Sequence, residues 1–496
     1  MPADKTMVDE QTELHANPEI LNVNELNNLL GKTFKPSSDS VKESINKAVH
    51  SLAEQALKEA TIVSTDTITA IEGIISSIDK KLEEQLNHVI HHEDFRELEG
   101  RWRGLDYLVN NTETSESQKI RVLNISKKEI GKLFLKYKGT AWDQNPVFKK
   151  LYEEEYGSAG GEPYGCLVGD YYFSHNPQDI EWLQGMSQIA AAAHIPFIAG
   201  CDPKLLNMDS WQELSNPRDL SKIFQTAEYA QWKSLRATED SKYIGLGMPR
   251  YLSRIPYSNE KNPINTFSFD EEIKGSDHNN FVWSNSAYAM ALNINQAFTQ
   301  YGWCTQIRGV ESGGMVSNLP CYTFSTDDGG VDMKCPTEIS ITDRREAELA
   351  KCGLMPLIHW KNTDYAVFIS AQSLNEPVEY EDSDATANAN LAARLPYMFA
   401  VCRFAHYLKC MVRDKIGTFS DKASLENYLN KWIVKYVVSS NSSQETKAKY
   451  PLGDAKVEVF EDESNPGYYS SKFYLKPHYQ LEGLTVSLRL VSKIPV

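Results

Sequence analysis

The sequence predicts a mixed α/β protein of more than one domain, with long helices near its N-terminus and a C-terminal strand available to a sheet outside its own domain. Three observations carry that prediction. Apolar residues recur at helical spacing from Asp66 to Leu108, strand-like and helix-like runs alternate from Lys119 to Ile369, and Leu484–Val491 alternates at period two where a chain ordinarily frays. A terminal strand either docks on its own domain or joins the sheet of another chain, where main-chain hydrogen bonds supply affinity.

A chain of 496 residues is too long for one ordinary core, which predicts two or three domains. Hydrophobic residues at 41% and charged residues at 24% fit a largely folded chain, and nine Trp with 25 Tyr supply anchors for cores or interfaces. The 51 basic residues against 67 acidic ones give a net charge of −16, which argues against nucleic acid as a partner, because phosphate recognition needs clustered Lys and Arg. Copies that assemble must offset this charge by local pairing. Lys472, Lys476, Arg489 and Lys493, which follow the acidic run Glu461–Glu463, offer one such patch; a solvated face is the other reading.

In chain order, residues 1–60 read as a polar tail in which Ile20, Leu21, Val23, Leu26, Leu29 and Leu30 share one helical face, closed by Gly31 and Pro36. That helix suits a partner's groove or its own body. Residues 61–375 read as the central domain. Ile71, Ile74, Ile75, Ile78, Leu82, Leu86, Val89 and Ile90 mark a long amphipathic helix, and Asp94–Leu108 a second. Then come a strand at Lys119–Ile125, a helix at Lys127–Tyr137, a strand at Pro163–Tyr172, a helix at Asp179–Ala193 and a short buried strand at Pro196–Ala199, an alternation that predicts some parallel pairing. Past the irregular stretch 249–277 lie a helix at Asn285–Tyr301 and strands at Thr337–Ile341, Met355–His359 and Tyr365–Ile369.

The acidic, aperiodic run 376–384 predicts an interdomain linker, and residues 385–496 a C-terminal domain. Its elements are a helix at Leu391–Arg413 with Pro396 near its start or at a kink, and a helix marked by Leu425, Tyr428, Leu429, Trp432, Ile433 and Tyr436. Strands at Val457–Phe460, Tyr468–Leu475 and Leu484–Val491 follow. In the last, Leu484, Val486, Leu488 and Leu490 face one way and Thr485, Ser487, Arg489 and Val491 the other.

Eight cysteines without a Cys-x-x-Cys pair read as reduced core thiols, and no basic-then-apolar leader or long apolar run predicts export or membrane insertion, so a cytoplasmic place is expected. His88, His91 and His92 with Glu93 are the densest ligand-like cluster, and His88 with His92 has i, i+4 spacing, yet a third ligand is missing and histidines are common at helix C-termini. The glycine runs 157–161 and 309–314 lack phosphate-loop or dinucleotide spacing and read as turns. No metal, cofactor or catalytic residue is predicted, and no enzyme.

The stretch Glu84-Gln-Leu-Asn-His-Val-Ile-His-His-Glu-Asp-Phe-Arg-Glu-Leu-Glu-Gly-Arg-Trp-Arg-Gly-Leu-Asp-Tyr-Leu-Val109 resembles the large sheath subunit of bacterial type VI secretion systems, the TssC/VipB family. Lys138–Asp143, Gly161–Phe173 and the ending from Pro466 through Leu490 are similar to family blocks in the same order, so the resemblance spans about residues 62–494. It implies a multi-domain sheath-protein fold and a structural role. Heterodimers with a small sheath subunit of the TssB/VipA type would stack with neighbouring sheath heterodimers around an inner tube protein, on a baseplate, and contract to propel the tube. It also implies that Leu484–Val491 joins a sheet shared between protomers. A ClpV-type unfoldase would recycle the sheath, with Ile20–Leu30 the comparable segment for it. Two other readings stay beside this one: an α/β metal-dependent enzyme, or a non-contractile cytosolic scaffold.

Overall fold

The computed structural model describes residues 43, 47 and 67–480, apart from 217–218, 265–267, 276, 327, 416–421, 462–468 and 479. The chain divides into two compact units, residues 1–89 with 257–271, and residues 90–256 with 272–496.

In the smaller unit the described residues form most of helix α1 (Thr67–Ile90) and the loop 257–271. The loop is closed on itself: Asp270 accepts from both the backbone and side-chain amides of Asn259 at 2.9 Å, and the Asp270 amide donates to Glu83 of the helix at 3.2 Å. Ile75, Leu82 and Val89, seven residues apart, are 52%, 37% and 52% exposed, so α1 carries an uncovered apolar stripe.

The larger unit is a layered α/β body. Its strands are β1 (Leu167–Phe173), β2 (Phe197–Cys201), β3 (Ile244–Met248), β4 (Met315–Val316), β5 (Leu354–His359) and β6 (Ala366–Phe368), ordered β1-β2-β3-β5-β6-β4. The first three pairings are parallel and the last two antiparallel. Helix α4 (Pro177–Ala193) makes the crossover from β1 to β2 and packs Trp182, Leu183, Met186 and Ile189 on the face that carries Phe197, Ala199 and Cys201. Ile198, one residue out of phase, points to the opposite layer, where α5 (Ser286–Tyr301) and α8 (Leu395–Asp414) lie. The strands read as continuous apolar runs because both faces are covered. Glycine is needed where α5 meets the sheet: a Cβ on Gly247 would come within 2.6 Å of the Ser286 hydroxyl.

Helix ends follow from local chemistry. Helix α3 (Lys127–Lys136) starts in a capping box between Ser126 and Glu129, α5 starts under Asn285, whose side-chain Oδ1 accepts from the Ala287 amide, and α5 stops at Gly302 with φ of 77°. Helix α2 (Glu93–Asn110) opens with two acidic residues and approaches α5 and the chain just before it over two glycines four residues apart. A Cβ on Gly100 would sit 2.3 Å from the Trp283 carbonyl, and one on Gly104 2.5 Å from the Tyr288 ring. The opposite side of α2 shows Phe95, Leu98, Trp102 and Val109 to solvent.

Three expectations are corrected. Residues 119–125 form no strand: their links to β1 run through side chains, the Tyr171 hydroxyl to the Ile125 carbonyl and the following Lys127 ammonium to the Tyr172 carbonyl. Thr337–Ile341 contributes one bridge, Thr337 to Tyr251, and no strand. The helix expected over Leu391–Arg413 is two, α7 (Ser383–Ala392) and α8, because Pro396 fits the first turn of a helix and not its interior. Glu376 is fastened to the body through its amide, which donates to the Arg236 carbonyl at 3.0 Å.

Candidate assembly surface

Helix α9 (Lys422–Ile433) and strands β7 (Leu452–Glu461) and β8 (Tyr469–Pro477) build the site. The strands pair antiparallel from Leu452 opposite Pro477 to Glu461 opposite Tyr469. Alternation puts Val457 and Val459 against Leu425, Leu429 and Ile433 of α9, and this cluster reaches Trp303 and Phe404, stacked at 4.3 Å. The hairpin is thereby fixed to α8 and the body.

The two outer edges of this sheet differ. Along β7, Asn430 accepts from the Val457 amide at 2.9 Å and donates to its carbonyl at 2.8 Å, while Glu426 accepts from the Val459 amide at 3.1 Å. Side chains thus occupy the groups that a further strand would need. No strand among the described residues pairs with the outer edge of β8, whose Phe473 and Tyr474 are 37% and 52% exposed. The Lys472 ammonium stands 5.1 Å over the Phe460 ring, a cation–π contact at the surface of this hairpin. An uncovered strand edge with aromatic side chains is a template for strand addition.

Beyond β8 the chain is bolted down. The His478 amide donates to the Pro451 carbonyl at 3.1 Å. Gln480 accepts from Arg308 at 2.8 Å, donates to the Thr305 carbonyl at 2.9 Å, and its amide donates to the Tyr397 hydroxyl at 3.0 Å. The predicted joining strand, Leu484, Thr485, Val486, Ser487, Leu488, Arg489, Leu490 and Val491, and the predicted helix of Ile20, Leu21, Val23, Leu26, Leu29 and Leu30 lie outside the described residues. Sequence reasoning missed Asn430, Glu426 and Gln480; the readable signal was two polar residues, four apart, interleaved with the apolar face of α9.

The histidine cluster is not a helical site. Helix α1 ends at Ile90, which leaves His91 and His92 in the turn before α2, and no group of three metal-ligating side chains occurs among the described residues. The run 309–314 is a turn with φ of 76° at Gly309 and 80° at Gly313. Among the described residues no helix is long and apolar enough to cross a membrane.

Among the described residues, then, a layered α/β body carries a hairpin with one edge held by side chains and the other without a strand partner. Residues 72–375 match the tail sheath N-terminal domain of EvpB/VC_A0108, and residues 384–494 the tail sheath gpW/gp25-like domain of EvpB/VC_A0108, so the chain belongs to this tail-sheath family. It is 62% identical over 473 residues, 95% of both chains, to a Pseudomonas aeruginosa protein, the type VI secretion system sheath protein TssC1. Two solved assemblies of the anti-feeding prophage contain chains similar to it. One is a baseplate chain at 10% identity and TM-score 0.38, with 78% of this chain and 86% of that one covered. The other belongs to the contracted helical sheath, at 12% identity and TM-score 0.34, with 79% and 86% covered.

Proposed function

We propose that this chain is the large subunit of a type VI secretion contractile sheath in the bacterial cytoplasm, and that it works as a structural element without catalysis. The observation that carries this reading is the 62% identity to a sheath protein across 95% of both chains. Heterodimers with a TssB/VipA-type small subunit stack around an inner tube on a baseplate, and contraction repacks rigid protomers while shared strands keep neighbours attached. The open edge of β8 supports a neighbour's Leu484–Val491 as the strand that completes this sheet. The family matches stop at residue 375 and resume at 384, which supports the acidic run 376–384 as the joint between a domain of residues 61–375 and one of residues 385–496. Residues 1–60 form the tail, with Ile20–Leu30 as the helix that a ClpV-type unfoldase takes hold of.

Co-expression with the small subunit tests the reading. Cog-like tubules in negative stain are the expected product, and discrete soluble complexes would overturn it. Deletion from Leu484 onward should abolish tubules and leave the heterodimer folded; long tubules from the deleted chain would refute the strand's role.

A further inference from the structure

Cys321 and Cys335 stand opposite each other at the base of a two-stranded hairpin. Its strands, Thr323–Ser325 and Val331–Met333, pair antiparallel, with Thr323 opposite Met333 and Ser325 opposite Val331. The Lys334 amide donates to the Tyr322 carbonyl at 2.8 Å, which carries this register one pair further and makes Cys321 and Cys335 the next opposing residues. The Thr326 amide also donates to the Gly330 carbonyl at 2.9 Å, so the bonded pairs are Tyr322 with Lys334 and Thr326 with Gly330. The two cysteines therefore take a non-hydrogen-bonded position, where Cα atoms are about 4.5 Å apart and the side chains share one face. A disulfide needs Cα atoms about 4.4–6.8 Å apart. Both thiols are free.

The side chains around them converge as well. The Cys321 thiol reaches the Leu319 carbonyl at 3.7 Å and the Thr363 carbonyl at 4.0 Å, and the same Thr363 carbonyl accepts from His359 Nε2 at 3.0 Å. Cys335 Sγ is 3.3 Å from the Thr337 hydroxyl, which donates to the Ile339 carbonyl at 2.9 Å. Burial pushes up the thiols of Cys166, Cys201, Cys304, Cys352 and Cys402. It pushes up Cys335 too, yet His359 and Thr337 overcome it and hold that thiol below the ordinary range. Burial likewise pushes the His359 imidazole down, and Cys335 with the Thr363 carbonyl reverses this. A carbonyl only accepts, so the bond to Thr363 keeps a proton on Nε2 and leaves the other ring nitrogen as the base for Cys335. Cys321 is exposed and Cys335 half-buried, which departs from the core thiols expected of every cysteine and puts the pair within reach of a solute.

We propose that this pair is a peroxide-responsive thiol switch, in which Cys335 is the attacking sulfur, Cys321 the resolving one and a disulfide across the base of the hairpin the product. Cys335 attacks because an imidazole and a hydroxyl stand beside its sulfur, and Cys321 resolves because it lies opposite. The Cys335 thiolate takes one peroxide oxygen: an S–O bond forms, the O–O bond breaks, and the departing hydroxide or alkoxide carries off the proton that His359 received from the thiol. The Cys321 sulfur then attacks the Cys335 sulfenic acid, so that an S–S bond forms, the S–O bond breaks, and hydroxide leaves as water with the Cys321 proton. Two thiols lose two electrons and two protons, and the peroxide, which gains them, ends as water and a second water or an alcohol. A dithiol reductant reverses the bridge by exchange, as befits a transient disulfide in a reducing compartment. None of these contacts depends on the sheath reading.

The test treats the full chain, reduced and then freed of reductant, with hydrogen peroxide, followed by alkylation and peptide mapping. A peptide that joins Cys321 to Cys335 and is cleaved by dithiothreitol is the expected main product. In Cys321→Ser, dimedone is expected to trap a sulfenic acid on Cys335 at least about tenfold faster than on any other cysteine, and adding His359→Gln should slow that trapping about tenfold with the urea midpoint unchanged. Peroxide added in urea, where the contacts of the fold are gone, should erase the preference for Cys335 without any substitution. Dimedone label spread evenly over the cysteines of the folded chain, a disulfide that joins other cysteines, or a preference that persists in urea would overturn the switch. So would a folded His359→Gln variant that is trapped as fast as its parent.

Discussion

Asn430 holds Val457 by both of its backbone polar groups, accepting from the amide at 2.9 Å and donating to the carbonyl at 2.8 Å. Together with Glu426, which accepts from the Val459 amide, this side chain occupies the outer edge of β7. Asn430→Leu keeps the bulk and removes both bonds. A buried backbone group left unpaired costs about 1–3 kcal/mol, so a loss of roughly 2 kcal/mol or more is expected in urea unfolding, with faster amide exchange at Val457. An unchanged midpoint would show that water replaces the amide at no cost.

Gly100 sets the approach of α2 to the Trp283 backbone, and Gly104 its approach to Tyr288 of α5. On an exposed helix face Gly→Ala stabilises by roughly 0.5–1 kcal/mol. Here a Cβ would stand 2.3 Å from the Trp283 carbonyl or 2.5 Å from the Tyr288 ring, so the sign reverses. Gly100→Ala, against a backbone atom that cannot swing aside, is expected to cost about 1–3 kcal/mol, and Gly104→Ala less because a ring can shift. Thermal unfolding of the two variants measures the order.

Burial pushes the Glu338 carboxyl up, yet the Arg250 guanidinium 2.6 Å away and His278 at 3.3 Å overcome that and hold it down at about 2. A carboxyl depressed in the fold contributes stability above its unfolded pKa, near 4.3, and that contribution fades as pH falls from there towards 2. The unfolding midpoint is expected to drop across this window. Glu338→Gln takes the carboxylate away from a half-exposed Arg250 and should cost about 1–3 kcal/mol at neutral pH, with a flatter acid profile.

His406 works in a higher window. Burial pushes its imidazole down to about 4, with Arg403 and His194 acting in the same direction against the Ala193 carbonyl that accepts from Nε2 at 2.9 Å. The fold keeps it neutral while the unfolded chain takes up a proton near pH 6.5, so stability is complete above 6.5 and declines as pH falls towards 4. His406→Gln retains a donor for Ala193 and is expected to remove up to about 1.4 kcal/mol of decline per pH unit in that range. Midpoints measured at pH 7 and pH 5 for both proteins read the difference.

Much of the fold was legible because period and capping report local facts. The helix predicted over Asp179–Ala193 spans Pro177–Ala193, and the strand predicted over Met355–His359 spans Leu354–His359. Order along a sheet was not legible: β4 follows β3 in the chain and lies at the far edge, because tertiary packing decides it. Lys119–Ile125 shows the limit most clearly. Its pattern asks for a strand and none forms, because a strand exists only when something pairs with it. The assembly surface was half legible. Alternation pointed to the hairpin, while the closing of one edge depends on Asn430 and Glu426, polar residues whose orientation no periodicity reveals.

The bare edge of β8 has a price before any assembly forms. Among the described residues no strand lies beside that border, and unpaired borders of this kind pair indiscriminately in crowded solution. A copy that meets no strand to seat there is expected to call on chaperones or to aggregate.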